Sequence, residues 1–315
     1  MSYTTHFFTA KDGTDIQYYK WTPTTTNIKG VVQIAHGIGE HAGRYDHFAE
    51  MLQEEGFVVF ANDHRAHGHS VKSRNLLGVY DGDDYFNDAV KDMRKLTKII
   101  KKQYPSKKII LFGHSMGSLL SRQYVTKYGK DLHALILSGT ASFIRGLGSI
   151  GLMGTKIIRT FSGRKKSNAV LKNLFFSELN KKFKPNRTQV DWISRDRHQV
   201  DIFESDPLRI ENFSLSVIED VIKGSKKINN YETFKNTPND VPVYLFSGDQ
   251  DPVGEMGKGV IKVAKKFKKA GNDVTLKLYK GGRHEMLNEI NKEEVEQDLL
   301  NWLDSKLEAA SSYGK

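Results

Sequence analysis

The segment that decides the fold is Lys108-Ile109-Ile110-Leu111-Phe112-Gly113-His114-Ser115-Met116-Gly117. Its first half is a short apolar run, which is typical of a buried strand. After it, residues 118–128 place apolar side chains at helical spacing, so a helix follows the strand directly. The glycines on either side of Ser115 permit a sharp turn between the two elements. The segment therefore predicts a strand–turn–helix that exposes the hydroxyl of Ser115 above the edge of a sheet.

Strand and helix patterns alternate on both sides of this segment. Apolar runs and turn residues predict strands at 4–9, 14–21, 31–35, 57–61, 109–112, 134–137, 241–246 and 274–279. Apolar periodicity predicts helices at 44–55, 84–104, 115–128, 255–270 and 293–307. Repeated β–α units indicate an α/β fold whose mostly parallel sheet carries helices on both faces. The opening pair of strands, turned at Asp12-Gly13, predicts an antiparallel edge.

The alternation stops at about residue 140 and resumes at 241. We expect residues 1–139 and 236–315 to form one core and residues 140–235 to form an inserted helical cap. Glycines interrupt an apolar stretch of this insertion, which favours a mobile lid over the site. A small helical subdomain without a gating role is the alternative. The apolar candidates for substrate contact are Phe143, Ile144, Leu147, Ile150 and Met153.

Composition and charge limit the function classes. The 315 residues are 38% hydrophobic and 27% charged, which suits a globular protein with a sizeable core. The absence of cysteine excludes disulfides and thiolate catalysis. There is no signal-peptide pattern and no apolar run of about 20 residues, so we expect a cytoplasmic protein.

The net charge of +11 is concentrated in one segment, because residues 140–187 contain eleven Lys or Arg and one acid, Glu178. Such a segment predicts peripheral contact with an anionic membrane, with an ordinary solvated face as the alternative. Few aromatic residues interleave with the basic ones, so we do not expect nucleic-acid binding.

A serine hydroxyl becomes a nucleophile when a base takes its proton and an acid orients that base. The loops after the last two predicted strands supply both types of group. His284, one of eleven histidines, is the only one that follows the last strand, which makes it the candidate base. Asp249 and Asp251 compete for the acid position. The turn at Pro252 favours Asp251, and Asp249 stays open as the alternative.

The oxyanion that forms during acyl transfer needs backbone donors. The N–H of Met116, which follows the serine, is one candidate. The Gly-rich loop His36-Gly37-Ile38-Gly39-Glu40 offers the N–H of Ile38 as the second. We expect His36 to shape this loop by hydrogen bonding rather than to act as a catalyst.

The string Asp63-His64-Arg65-Ala66-His67-Gly68-His69-Ser70 contains closely spaced ligand types for a metal. No matching set of acids and histidines occurs elsewhere, so we predict structural hydrogen bonding, no metal and no cofactor.

Three blocks together resemble the monoacylglycerol lipase and lysophospholipase branch of the α/β-hydrolases, a branch also described as serine aminopeptidase-like. They are 36–45, 63–70 with Ala66 in place of a glycine, and 113–117. The spacings Gly248-x-x-Asp251 and Gly281-x-x-His284 also match. The resemblance implies an α/β-hydrolase fold, Ser115 as nucleophile, His284 as base, Asp251 as acid, and the amides of Ile38 and Met116 as oxyanion donors.

The expected function is hydrolysis of a single-chain lipid ester, a monoacylglycerol or a lysophospholipid, through an acyl-enzyme. The first alternative is an esterase for short-chain or aromatic acyl groups, and a peptidase is a weaker one. An alternative of another class is a non-catalytic ligand-binding module on a hydrolase scaffold.

Overall fold

The computed structural model describes residues 2–142 and 178–312, with side chains described to residue 308. Within these ranges the strands form one eight-stranded sheet in the order β1-β2-β4-β3-β5-β6-β7-β8. The strands are β1 (Tyr3–Thr9), β2 (Asp15–Trp21), β3 (Gly30–Ala35), β4 (Phe57–Asn62), β5 (Ile109–His114), β6 (Ala134–Ser138), β7 (Val243–Gly248) and β8 (Val274–Tyr279). Strand β2 pairs antiparallel with β1 and β4, and the remaining pairs are parallel, as predicted.

Helices cover both faces of the sheet. They are α1 (Asp46–Glu54), α2 (Tyr85–Gln103), α3 (Met116–Tyr128), α4 (Arg197–Ser205), α5 (Leu215–Ile228), α6 (Tyr231–Lys235), α7 (Lys258–Ala270) and α8 (Lys292–Ser312). Successive strand residues point to opposite faces, so Val31 joins the apolar cluster under α2, α3, α5 and α7. Val32 joins the cluster under α1 and α8. The central strands are buried on both faces, which explains their continuous apolar runs.

Several boundaries differ from the sequence-based prediction, and two of the differences have a clear backbone cause. Helix α7 begins at Lys258 rather than at 255, because Glu255, Met256 and Gly257 have φ angles of 54°, 55° and 80°. Such left-handed backbone is incompatible with a right-handed helix. Strand β7 runs over Val243–Gly248, two residues later than predicted, since the preceding Pro242 has no N–H to donate to the ladder.

The turn between β5 and α3 depends on its two glycines. Ser115 has φ of 51° and ψ of −117°, a strained backbone conformation for a residue with a side chain. A Cβ at Gly117 would lie 2.0 Å from the carbonyl oxygen of Ala35, and one at Gly113 would lie 2.4 Å from the Ser121 hydroxyl. No side chain fits at either position, so the glycines bring Ser115 to the carboxyl end of the central strand.

Of the insertion between β6 and β7, the structure describes residues 140–142 and those from 178 onward. The cap residues Phe143, Ile144, Leu147, Ile150 and Met153 lie outside the described residues. Helix α5 packs on α2 and α3 and shares their apolar cluster. Residues of the 190–203 region form a separate small cluster: Val190, Trp192, Ile193, Val200 and Phe203. The division into core and cap stays a prediction. Among the described residues, no helix has the length and apolar character to cross a bilayer.

Candidate active site

Parallel strands bring three candidate residues to one edge of the sheet. Ser115 follows β5, Asp251 follows β7 and His284 follows β8, each past the carboxyl end of its strand. His284 Nδ1 lies 3.0 Å from Asp251 Oδ1. Both side chains are buried, whereas Ser115 is partly exposed. Ser115 and His284 line the same cleft, so the structure brings a serine, a histidine and a carboxylate together.

The structure distinguishes the two candidate acids. Asp251 Oδ2 accepts the hydroxyl of Ser247 at 2.8 Å, and Oδ1 accepts the N–H of Val253 at 2.9 Å. Asp249 points elsewhere, because its Oδ1 accepts the N–H of Gly281 at 2.8 Å. Asp251 therefore contacts the imidazole, while Asp249 supports the loop that carries it.

Asp251 and His284 shift each other's pKa toward the charged form. Burial opposes ionisation of Asp251, but His284 and the hydrogen bonds from Ser247 and Val253 hold its pKa below the ordinary 3.8. Burial also disfavours a charged His284, yet the Asp251 carboxylate and its hydrogen bond raise the pKa of the ring above the ordinary 6.5. The proton held on Nδ1 by Asp251 leaves Nε2 of the neutral ring as the nitrogen that accepts a proton.

The loop after β3 passes close to the serine. A Cβ at Gly37 would lie only 3.2 Å from Ser115 Cβ. A larger residue at position 37 would therefore push the loop away from the serine. Ile38 lines the cleft beside Ser115. Met116 is the first residue of α3, where helical N–H groups have no intrahelical acceptor. The amides of Ile38 and Met116 thus belong to the two segments that border the serine.

Sequence reasoning did not foresee a buried ion network behind this loop. Glu40 accepts the N–H of Gly37 and, at 2.8 Å, the hydroxyl of Tyr45. Arg44 donates to Glu40 at 2.7 Å and to both oxygens of Glu285 at 3.0 and 2.8 Å. Arg44 consequently ties the loop after β3 to Glu285, the residue that follows His284. The i,i+4 spacing of Glu40 and Arg44 was the available signal.

His36 and His67 hold their loops by hydrogen bonds, whereas neither ring nitrogen of His64 has a hydrogen-bond partner among the described residues, and His69 is exposed. His36 Nδ1 lies 2.7 Å from the carbonyl oxygen of Gly37, and its Nε2 accepts the N–H of His64 at 2.9 Å. The prediction that His36 shapes the loop is confirmed. His67 Nδ1 lies 3.0 Å from the carbonyl oxygen of Arg65. Burial first, and neighbouring imidazoles second, lower the pKa of His36 well below 6.5. Among the described residues no group of three metal-binding side chains occurs.

A profile of the family described as serine aminopeptidase, S33, matches residues 26–291. That range contains the serine, the acid and the histidine of the candidate site. The chain belongs to the serine aminopeptidase S33 family. This S33-family chain is a hydrolase with the α/β-hydrolase fold, as the resemblance implied.

Similar proteins include esterases and lipases. A monoacylglycerol lipase of Mycolicibacterium smegmatis is 30% identical over 306 residues, which cover 96% of the S33-family chain and 97% of the relative. The monoglyceride lipase of Mus musculus is 26% identical over 301 residues, covering 93% and 88%. A thermostable carboxyl esterase from Bacillus coagulans, solved with glycerol, superposes with a TM-score of 0.90 at 29% identity, covering 98% and 99%.

A soluble variant of the Saccharomyces cerevisiae monoglyceride lipase, in complex with a substrate analogue, gives a TM-score of 0.77 at 22% identity, covering 97% and 95%. This neighbour supports the fold. Together with the family match, the lipase and esterase relatives establish that the S33-family chain is an ester hydrolase.

The cleft above Ser115 encloses about 590 Å³ of empty space, part of it open to solvent. Its wall is mainly apolar, and the apolar side chains that line it are Ile38, Val190, Trp192, Ile193, Phe203 and Ile210. The ring of Trp192 packs 5.1 Å from the ring of His284, centroid to centroid. An apolar wall beside a serine and a histidine suits an ester with a hydrocarbon acyl group.

Proposed function

We propose that this chain is a serine carboxylic-ester hydrolase that acts through an acyl-enzyme. Ser115 is the nucleophile and His284 is the general base. Asp251 orients the imidazole of His284 and stabilises its protonated form. The observation that carries the proposal is the buried contact of 3.0 Å between His284 Nδ1 and Asp251 Oδ1, in the cleft that also contains Ser115.

The reaction proceeds in two acyl transfers. His284 accepts the proton of Ser115 as the serine oxygen attacks the ester carbonyl, and the amides of Ile38 and Met116 stabilise the resulting oxyanion. His284 then donates that proton to the departing alcohol, which leaves the acyl group on Ser115. A water molecule activated by His284 attacks the acyl carbonyl, and the fatty acid and free serine are released.

Single-chain lipid esters, monoacylglycerols or lysophospholipids, are the proposed substrate class. The apolar cleft wall and the monoacylglycerol lipase relatives support this choice. A short-chain or aromatic-acyl esterase is the second candidate, because the Bacillus coagulans neighbour is a carboxyl esterase. A series of p-nitrophenyl esters from two to sixteen carbons, measured beside 1-monoacylglycerols, separates the two. Maximal kcat/KM at two to four carbons would favour the second candidate.

Covalent labelling tests the nucleophile separately from the substrate. A fluorophosphonate probe should modify the peptide containing Ser115, and Ser115→Ala should abolish both labelling and hydrolysis. Ser73→Ala, at an exposed serine that does not line the cleft, is the matched control and should behave like the unaltered protein. Absence of labelling would instead support a non-catalytic ligand-binding module.

Peripheral attachment to an anionic membrane, with the protein otherwise in the cytoplasm, is also proposed. Lys181, Lys182 and Lys184 are exposed basic residues of the 140–187 segment. The further basic candidates Arg145, Lys156, Arg159, Arg164, Lys165 and Lys166 lie outside the described residues. Each basic residue near an anionic surface contributes roughly 1 kcal/mol of attraction. Sedimentation with vesicles of increasing phosphatidylserine content tests this attachment, and binding that ignores the anionic fraction would contradict it.

A further inference from the structure

A second pocket shares a wall with the candidate active-site cleft. Four arginines line it: Arg187, Arg195, Arg197 and Arg283. Within segment 187–197, Val190, Trp192 and Ile193 line the cleft, while Asp191, Ser194 and Arg195 line this arginine pocket. The arginine pocket encloses about 440 Å³ of empty space, part of it open to solvent. Liquid water occupies about 30 Å³ per molecule, so the volume admits a tetrahedral oxyanion.

The one carboxylate in the lining, Asp191, is already used by its own turn. It accepts the backbone N–H of Arg187 at 2.6 Å, and the N–H and hydroxyl of Thr188 at 3.1 and 2.6 Å. These bonds lower the pKa of Asp191, although partial burial opposes ionisation. Its charge offsets one of the four arginines. Beyond the lining, Asp201 pairs with Arg187 at 2.5 Å and Glu289 pairs with Arg195 at 2.9 Å, so within the described residues Arg197 and Arg283 are the two arginines without a carboxylate partner.

Arg283 is held with part of its guanidinium still available. Its Nη1 donates to the carbonyl oxygens of Asp191 and Ser194, the latter at 3.0 Å. The guanidinium also stacks 4.3 Å above the ring of Phe183. Among the described residues, Nε and Nη2 of Arg283 make no hydrogen bond. Two fixed bonds and a stacked ring orient the remaining donors before any ligand arrives.

The other arginines are positioned by separate contacts. Arg195 donates from Nε to Glu289 and from Nη2 to Asn291, both at 2.9 Å. Gly281 makes room for it, since a Cβ there would lie 2.9 Å from Arg195 Nη1. Arg197 is exposed, and its side chain forms no hydrogen bond or ion pair within the described part of the chain.

Like charges converging on a concave surface concentrate a positive potential. Burial, followed by repulsion from Arg195, lowers the pKa of Arg283, although Glu289 and Asp191 oppose this shift. An anion with several acceptor oxygens would relieve that repulsion. Planar guanidinium groups match the oxygen spacing of phosphate, to which they donate in pairs.

We infer that the arginine pocket binds a phosphate group, carried by a soluble compound or by a lipid headgroup. The site is distinct from the cleft that contains Ser115, and it does not depend on the proposed ester hydrolysis. It adjoins the cleft nonetheless, because Arg283 precedes His284 and segment 187–197 carries Trp192. Ligand binding should therefore alter the fluorescence of Trp192.

Titration with inorganic phosphate tests the inference, with sodium chloride at equal ionic strength as the blank. Calorimetry and tryptophan fluorescence are the readouts. The test variant is Arg187→Gln/Arg197→Gln, in which both altered side chains are exposed. The matched control is Lys265→Gln/Lys268→Gln, which removes the same charge from exposed positions of α7. We expect saturable binding that weakens at least tenfold in the test variant and stays unchanged in the control.

The same titration on Ser115→Ala should give unaltered binding, so failure of the catalytic proposal and failure of this one are distinguishable. Phosphatidylcholine vesicles with and without phosphatidic acid identify the source. Vesicle binding that the test variant loses indicates a lipid headgroup, and binding of the free anion alone indicates a soluble phosphate compound. Absence of saturable phosphate binding, or equal weakening in the test and control variants, would overturn the inference.

Discussion

Replacing Asp251 by asparagine tests the candidate triad at the point where sequence left two acids in competition. The change preserves the shape of a fully buried side chain, removes its charge and replaces one acceptor oxygen by an amide NH2 group. Oδ1 of this carboxylate lies 3.0 Å from His284 Nδ1, and the carboxylate accepts hydrogen bonds from Ser247 and Val253. A smaller residue such as alanine would also leave a cavity, whereas asparagine changes the charge and the hydrogen bonding without one.

The size of the effect follows from the geometry. As Ser115 attacks, His284 becomes an imidazolium whose charge centre lies about 4 Å from the carboxylate. Two unit charges at about 4 Å and an effective dielectric constant of about 20 interact with about 4 kcal/mol, which corresponds to about 10³-fold in rate. An asparagine that donates its own N–H to His284 also fixes the wrong tautomer. We therefore expect kcat to fall by about 10³- to 10⁴-fold.

The assay is steady-state hydrolysis of a soluble p-nitrophenyl ester across pH 5 to 9. Asp249→Asn is the matched control, because its retained oxygen still accepts the N–H of Gly281, and kcat should stay within about tenfold of the unaltered protein. Asp251→Asn should also move the acidic limb of the profile to lower pH, since it removes the carboxylate that raises the pKa of His284. A loss below tenfold in Asp251→Asn, or an equal loss in Asp249→Asn, would refute the assignment.

Three further predictions concern pH, a buried ion pair and backbone strain. Because the pKa of His284 is raised, the acidic midpoint of the pH profile of kcat/KM should lie above 6.5, and a midpoint below 6.5 would contradict the raised pKa. The stability that its ion pair with Asp251 contributes should be complete below pH 6.5 and lost as the pH rises through the folded-state pKa. Asp92→Asn should cost about 3 kcal/mol in urea unfolding, since Arg65 donates to both Asp92 oxygens at 2.8 and 2.9 Å; a cost under 1 kcal/mol would show that the pair contributes little. Ala66→Gly should change the unfolding free energy by less than about 1 kcal/mol, because relief of a φ of 65° offsets the lost methyl group and the added chain entropy. The same change at the buried helical Ala89 should cost about 2 kcal/mol, and equal costs at both positions would disprove the strain.

Local sequence patterns predicted much of the fold. The strands around β5, the turn at Ser115 and the helix after it follow from apolar periodicity and glycine placement, which act over a few residues. The errors came at element ends, where backbone conformation decides. Helix α7 starts late because three consecutive residues adopt positive φ, and neither Glu255 nor Met256 signals that from its side chain.

Part of the candidate site could likewise be predicted from the sequence, and part could not. The order of Ser115, acid and His284 after successive strands was readable, because parallel strands end at one edge of the sheet. The sequence only favoured Asp251 over Asp249. The loop geometry distinguishes them, because Asp251 contacts the ring of His284 whereas Asp249 accepts the N–H of Gly281.

The sequence by itself determined the α/β alternation, the elbow that requires glycine at 113 and 117, and the chemical types that follow the last two strands. Only the tertiary structure decided which acid meets the imidazole. It alone revealed that Arg44 joins Glu40 to Glu285 across 241 residues of chain, and that four arginines share one pocket. The physical reason is range: propensity and turn chemistry act between neighbours in sequence, whereas ion pairs and pockets depend on how loops from distant strands converge at one edge of the sheet.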